Sequence, residues 1–207
     1  MQDYRTVKGE SQDEFVERKS RFIGVSKHVE TGEEAMAFVA AIKEQHRDAT
    51  HNVFAYALKD GQTRRYSDDG EPQGTAGIPV LDVILKEGIV DVCVVVTRYF
   101  GGILLGGGGL VRAYSQGCRL ALGSAQRCSM TLCVILEASF AYSLYGKISY
   151  ILPKYEVRVL SSDFGELVQL VLMLSKSKAD SFLKEWTELT GGAFIPHVTE
   201  EKYAEMS

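Results

Sequence analysis

The sequence predicts an α+β fold in two parts. Three observations carry that prediction. Apolar residues fill 45% of the 207 positions, enough to form real cores. Short β-branched or alternating runs are interleaved with stretches of helical period. The order of these elements also changes across a short stretch near Ser124 to Ser129, so the expected segments are residues 1–126 and 130–207.

In the first segment, strand-like runs around Tyr4 to Glu10, Glu14 to Arg18 and Phe22 to His28 come first. A helix follows, opened by a capping box of Thr31 and Glu34 and striped by Ala35, Phe38, Val39 and Ile42. VFAYAL reads as a strand and SDDGEPQGTAG as a polar loop, with Thr75 placed to cap a short helix from Pro79 to Lys86 that Gly88 ends. DVCVVVT is too short and too β-branched for a helix, so it is a buried strand. It runs into a glycine-rich turn, after which GLVRAYSQGCRLAL is helical, with Val111, Tyr114, Cys118 and Leu122 facing a core.

The second segment begins with the apolar run MTLCVILEA. A helix from Tyr142 to Leu152 is stopped by Pro153, and the runs EVRVLSSD and ELVQLVLML follow. The next helix has Ser177 as its expected N-cap, Ala179, Phe182, Leu183, Trp186 and Leu189 on one face, and Gly191 and Gly192 at its end. AFIPHVTEE closes the series. The order β-α-β-β-α-β is that of the ferredoxin-like split βαβ arrangement.

The N-terminus is polar and acidic and the apolar runs are too interrupted to span a bilayer, so a cytoplasmic protein without a membrane partner is expected. Cys93, Cys118, Cys128 and Cys133 lie in apolar segments without CxxC spacing, which fits reduced core thiols. The formal charge is −4, yet no acidic residue falls between Asp91 and Glu137, where Arg98, Arg112, Arg119 and Arg127 all lie. An anionic chain thus carries one purely cationic stretch, and that stretch holds the glycines Gly101, Gly102, Gly106, Gly107, Gly108 and Gly109.

Strand, glycine turn and helix form the layout in which free backbone N–H groups meet an anion at a helix N-terminus. No lysine or hydroxyl follows the last glycine as a Walker loop requires. Val111 also stands where Gly106 and Gly108 would need a third glycine in GxGxxG, so bound ATP or NAD is weakly supported and no cofactor is expected. Arg112, Gln116 and Arg119 share one polar helical stripe, suited with Arg98 to hold a phosphate backbone over the glycine loop, and Tyr99 and Phe100 can stack on unpaired bases. The alternative is that these glycines only permit a tight turn and close packing.

Ser67, Asp68, Asp69 and Glu71 cluster in the acidic loop, with three readings open: a metal site, turn chemistry, or groups that order a neighbouring positive loop. His51, at a strand entrance near Asp48, is a candidate base, although no nucleophile neighbours it in sequence. ERKSRF supplies Arg18, Lys19 and Arg21, which read either as phosphate contacts, Arg21 above all, or as a charged strand edge.

KSRF at 19–22, SDDGEPQGTAGIP at 67–79 and RYFGGILLGGGGLVRAY at 98–114 resemble the motifs of the IMPACT family, most closely its bacterial YigZ-type members. The resemblance implies two domains. The first would be similar to the β-α module of a ribosomal protein, the fourth domain of elongation factor G and ribonuclease PH; the second, to the ferredoxin-like fifth domain of elongation factor G. Eukaryotic relatives modulate translation through an additional domain that this sequence lacks, and no catalytic residues carry over. The resulting expectation is a non-enzymatic RNA- or ribosome-binding protein that influences translation. The rival readings are an enzyme acting on a small phosphorylated or nucleotide substrate, and an interaction module for an acidic partner, which includes a protein of the translation machinery.

Overall fold

In the computed structural model, residues 3–206 are described; Met1, Gln2 and Ser207, the outer ends of the two expected segments, lie outside the described residues. The chain is a mixed α/β protein that divides into two compact units, one of them Tyr4–Cys128 and the other built from Ser129 onward. The division falls inside a strand.

The first unit contains β1 (Tyr4–Lys8), β2 (Glu10–Glu17), β3 (Ser20–His28), α1 (Gly32–Gln45), β4 (His51–Ala57), β5 (Arg64–Ser67), α2 (Gly77–Glu87), β6 (Val92–Tyr99) and α3 (Gly107–Ser124). Five strands form a sheet in the order β2-β3-β6-β4-β5, every neighbour antiparallel. Central β6 is buried on both faces, and its side chains alternate between two cores. Val92, Val94 and Val96 join the core under α2 and α3, while Cys93 and Val95 join the core under α1. That alternation decides where Arg98 and Tyr99 point.

Local chemistry sets the helices. The Thr31 hydroxyl accepts the Glu34 N–H at 3.1 Å, as the capping box requires, while the Glu34 carboxylate reaches one residue further back, to the Glu30 N–H at 2.7 Å. Gly88 ends α2 in the left-handed conformation, φ 63°. Helix α3 begins earlier than its apolar period indicates, because Gly107, Gly108 and Gly109 already form its first turn. Leu110 is buried on the face it shares with Ala113, Tyr114 and Gly117, and Val111, expected inward, lies at the edge of that face and is 39% exposed. Close approach of α3 to the sheet needs two glycines: a Cβ on Gly24 of β3 would lie 2.2 Å from the Gly117 carbonyl oxygen, and one on Gly117 would lie 2.8 Å from Val96 Cγ1 of β6.

The second unit carries β7 (Gln126–Phe140), α4 (Tyr145–Ile151), β8 (Arg158–Phe164), β9 (Val168–Ser175), α5 (Lys176–Thr190) and β10 (His197–Glu205). Turns of 3-10 helix flank α4, at Tyr142–Leu144 and at Pro153–Tyr155. The strands lie in the order β10-β7-β9-β8, antiparallel throughout. Trp186 and Phe182 of α5 pack with Phe140 and Leu172 in one core. Ser175, not Ser177, precedes the first turn of α5, and the two hydroxyls bond each other at 2.8 Å.

Candidate functional site

The acidic loop is built by its own carboxylates. Asp68 accepts three backbone N–H groups, from Gly74 at 2.9 Å, Ala76 at 3.1 Å and Gly77 at 2.8 Å, and so caps α2 from a distance. Thr75, expected in that role, instead donates to the Pro72 carbonyl at 2.6 Å. Asp69 pairs with Lys43 at 2.5 Å and accepts the Asn52 N–H at 2.6 Å, and the Ser67 hydroxyl accepts the Asp69 N–H at 3.2 Å. The loop is thereby held down at both ends. Among the described residues no group of three or more metal-ligating side chains occurs, so the metal reading of this loop has no geometry behind it.

The clamped loop drives Glu71 inward. Its Oε1 accepts the Arg98 guanidinium at 2.6 Å and the Tyr114 hydroxyl at 2.7 Å. Arg98 itself is 5% exposed, lies 5.5 Å from the Phe22 ring centroid and 5.4 Å from that of Phe100, and reaches the Ser20 hydroxyl at 3.5 Å. Arg98 was expected to hold phosphate over the glycines. The structure carries it along the Val92, Val94, Val96 face of β6 into the interior, where it pairs with Glu71. Burial and the neighbouring carboxylate push the Tyr114 hydroxyl well above the usual tyrosine range, so it stays a donor.

Tyr99 is one residue on and therefore faces the opposite side of the sheet. Its hydroxyl meets His46 Nδ1 at 2.9 Å and Asp48 at 3.3 Å, and Arg21 stacks 5.9 Å from its ring centroid while pairing with Glu14 at 2.6 Å. Burial, then Asp48, raises the Tyr99 hydroxyl above its ordinary value. Arg21 and Tyr99 thus belong to the α1 side of the sheet, opposite the face that α3 covers.

The glycines divide by role. Gly101 packs against the turn between β2 and β3, where a Cβ would sit 2.0 Å from the Lys19 carbonyl. Gly102 and Gly106 have positive φ, 81° and 73°. Gly107 and Gly108 have neither reason: both are helical, and an added Cβ would meet nothing closer than Thr75 Cγ2 at 3.9 Å. Glycine early in a helix is unfavourable by about 1 kcal/mol relative to alanine. Gly106, the N-cap, has no side chain to offer and the first turn holds no acid, so the leading amides of an 18-residue helix are uncapped.

Two clefts flank that helix start. One, about 280 Å³, is lined by Glu17, Arg18, Leu105, Gly109, Arg112, Ala113 and Gln116. The other, about 400 Å³, has Pro72, Phe100, Leu104, Leu105 and Leu110 for walls, Gly106 and Gly107 at its rim, and His51, Glu71 and Arg98 beneath. Arg112 and Arg119 are exposed, and neither takes part in an ion pair among the described residues. Arg18, in the β2–β3 turn with φ 44°, reaches the Leu104 carbonyl at 3.4 Å. Both a strand-edge charge and a phosphate contact are open for Arg18 in the sequence; the hairpin places it in the cleft beside α3.

The fold is that of a two-unit α/β protein with a glycine-started helix between a cationic cleft and an apolar one. Residues 18–122 match the family described as Impact N-terminal domain, and residues 139–193 match Domain of unknown function (DUF1949). IMPACT family member YvyE of Bacillus subtilis (strain 168) is 39% identical over 193 residues, covering 93% of this chain and 89% of its own. IMPACT family member YigZ of Escherichia coli (strain K12) is 35% identical over 187 residues, 89% of this chain and 92% of its own. A solved structure described as "Crystal structure of an hypothetical protein" superposes with a TM-score of 0.64 at 32% identity, covering 98% of this chain and 100% of that one. The chain belongs to the IMPACT family.

Proposed function

We propose that this IMPACT-family protein acts in translation by binding RNA, free or on the ribosome, through phosphates held at the start of α3. One observation carries the reading: the uncapped amides of Gly107–Gly109 adjoin a cleft that Arg18 and Arg112 both line, with Arg119 two helical turns further along the same stripe. Bidentate guanidinium contacts and bare backbone N–H groups are the two ways proteins hold phosphate without reading sequence. The net charge of −4 does not oppose this, because binding follows the local field and not the total. The link to translation rests on the family resemblance of the motifs. We also read the first unit as the module similar to the fourth domain of elongation factor G, and the second as ferredoxin-like; the strand order β10-β7-β9-β8 with its two intervening helices supports the latter.

Fluorescence anisotropy of labelled single-stranded RNA against salt tests this. The wild-type log–log slope is expected to fall by about 0.7 for each contacting arginine removed in Arg112→Ala and Arg119→Ala. Binding that ignores salt, or a double variant with an unchanged slope, would overturn the reading.

A further inference from the structure

The apolar cleft on the other side of the α3 start is not used by a phosphate backbone. Its chemistry is unlike that of the cationic cleft. Phe100, Leu104 and Leu105 line it, with Leu104 81% and Phe100 45% exposed although both are large and apolar. At its floor the protein leaves hydrogen-bonding capacity unfilled. The Glu71 Oε1 is satisfied twice over, but Oε2 accepts no hydrogen bond among the described residues; His51 Nε2 stands 3.8 Å away. His51 Nδ1 lies 2.8 Å from the Asp69 carbonyl, which can only accept, so Nδ1 carries a proton and Nε2 is left for something else. Arg98, 5% exposed, has no hydrogen-bond partner for its Nε among the described residues. The rim is Gly106 and Gly107, where the helix amides are uncapped and where Gly107 has no internal reason to be glycine.

We propose that this cleft holds one nucleotide unit: the base enters between Phe100 and the leucines with its polar edge on Glu71 Oε2 and His51 Nε2, and its phosphate rests on the amides of Gly107 and Gly108. Several features select this ligand. Apolar walls over a small polar floor are the pattern of small-molecule pockets, and about 400 Å³ lies in their size range. Phe100 has the Arg98 guanidinium at 5.4 Å from its centroid and keeps exposed ring surface, which is a stacking platform for a flat ring. A free carboxylate oxygen requires an N–H donor from the ligand, which the edge of a nucleobase supplies and a fatty chain does not. An anion on the helix start explains why the first turn is bare, since a methyl on Gly107 would occupy the space the phosphate needs. The nucleotide unit is either a free mononucleotide or one unpaired residue of an RNA strand. The second source rests on the RNA reading above, the first does not.

The decisive variant is Gly107→Ala. The unliganded structure has room for the methyl, and alanine favours helix, so its melting temperature should equal or exceed that of wild type. Binding should nevertheless weaken by about tenfold or more. Titration with each of the four nucleoside monophosphates, followed by amide shifts of Phe100, Gly106 and Gly107, tests the free source; anisotropy with oligonucleotides that carry or lack a base at one position tests the RNA source. Shifts confined to these residues and abolished by Gly107→Ala support the cleft, and support from mononucleotides alone would leave it standing while the RNA reading fell. If RNA binds with the expected salt slope but neither Gly107→Ala nor removal of a base changes it, and no mononucleotide shifts these amides, the cleft proposal is wrong, and the phosphate reading stands on the arginine contacts without the Gly107 amide.

Discussion

Arg98 and Glu71 meet at 2.6 Å with side chains only 6% and 4% exposed, an ion pair enclosed between β6 and the loop that precedes α2. Such a pair contributes little net stability compared with apolar residues, but removing one partner strands the other charge away from water, which costs about 3–5 kcal/mol. Arg98→Ala should therefore lower the urea-derived unfolding free energy by that amount. Tyr114→Phe removes one of the two bonds to Glu71 Oε1 and should cost only about 1 kcal/mol. A folded, stable Arg98→Ala protein that had lost RNA binding would show that Arg98 serves a ligand and not the interior.

Stability should also decline on the alkaline side. Burial pushes the Cys93 thiol up from 9.0 to about 12, and Cys118 and Tyr114 are displaced in the same direction, burial being the largest cause each time. In each case the folded state holds a proton that the unfolded chain releases, so stability is complete below the unfolded value and falls as pH rises above it. The loss should begin near pH 9 and steepen by about 1.4 kcal/mol per pH unit for each such group. Cys93→Ala should flatten the profile between 9 and about 12. Denaturant melts at a series of alkaline pH values would read this directly, and a flat wild-type profile would contradict the assignment of these thiols to the interior.

Asp68 is the cap of α2 although it lies nine residues before Gly77 in sequence. With three amides bonded to one carboxylate, Asp68→Ala should cost about 2 kcal/mol, the upper part of the range for capping residues. Thr75→Ala, at the sequence-adjacent hydroxyl, should be nearly neutral by comparison, because that hydroxyl already bonds to Pro72. Equal losses in the two variants would return the capping role to Thr75.

Many features decided by neighbours in sequence were legible, although Thr75, Ser177 and Val111 show that local caps and helix faces were misassigned too; those decided by pairing across the sheet were not legible. The Thr31 cap, the Gly88 stop and the stripe of α1 follow from residues three or four apart, and the structure has all of them. The acid-free run between Asp91 and Glu137 pointed to a cationic surface, but it counted neighbours along the chain. Glu71, 27 residues before Arg98, is its neighbour in space, and a strand buried on both faces gives no periodic sign of which way an arginine points. The same blindness joined Tyr99 to Arg98, although adjacent strand residues must diverge. Arg112 and Arg119 emerged as read because an exposed helical stripe is a local property. Of the readings open for the acidic loop, turn chemistry fits the three amides on Asp68, while Glu71 pairs with a cation of strand β6 and not of a neighbouring loop, a contact that spacing along the chain does not reveal.

Trp186 makes the second unit separately visible. It is the one tryptophan of the sequence, fully buried, with Phe140 at 5.4 Å and Phe182 at 5.7 Å between ring centroids and its indole N–H donating to the Phe194 carbonyl at 2.8 Å. Its emission should be blue-shifted in the native protein and should report loss of the core formed by β7, β9, α4 and α5. Trp186→Ala should destabilise that core by about 3–5 kcal/mol, since it leaves a large cavity among side chains that cannot fully collapse. Trp186→Phe keeps ring contacts with Phe140 and Phe182 and removes the shorter of two hydrogen bonds to the Phe194 carbonyl, the Thr190 hydroxyl at 3.4 Å remaining, so it should cost less, about 1–3 kcal/mol. Circular dichroism melts of the two variants measure the difference. Equal losses would mean that the hydrogen bond, and not the ring, is what Trp186 supplies.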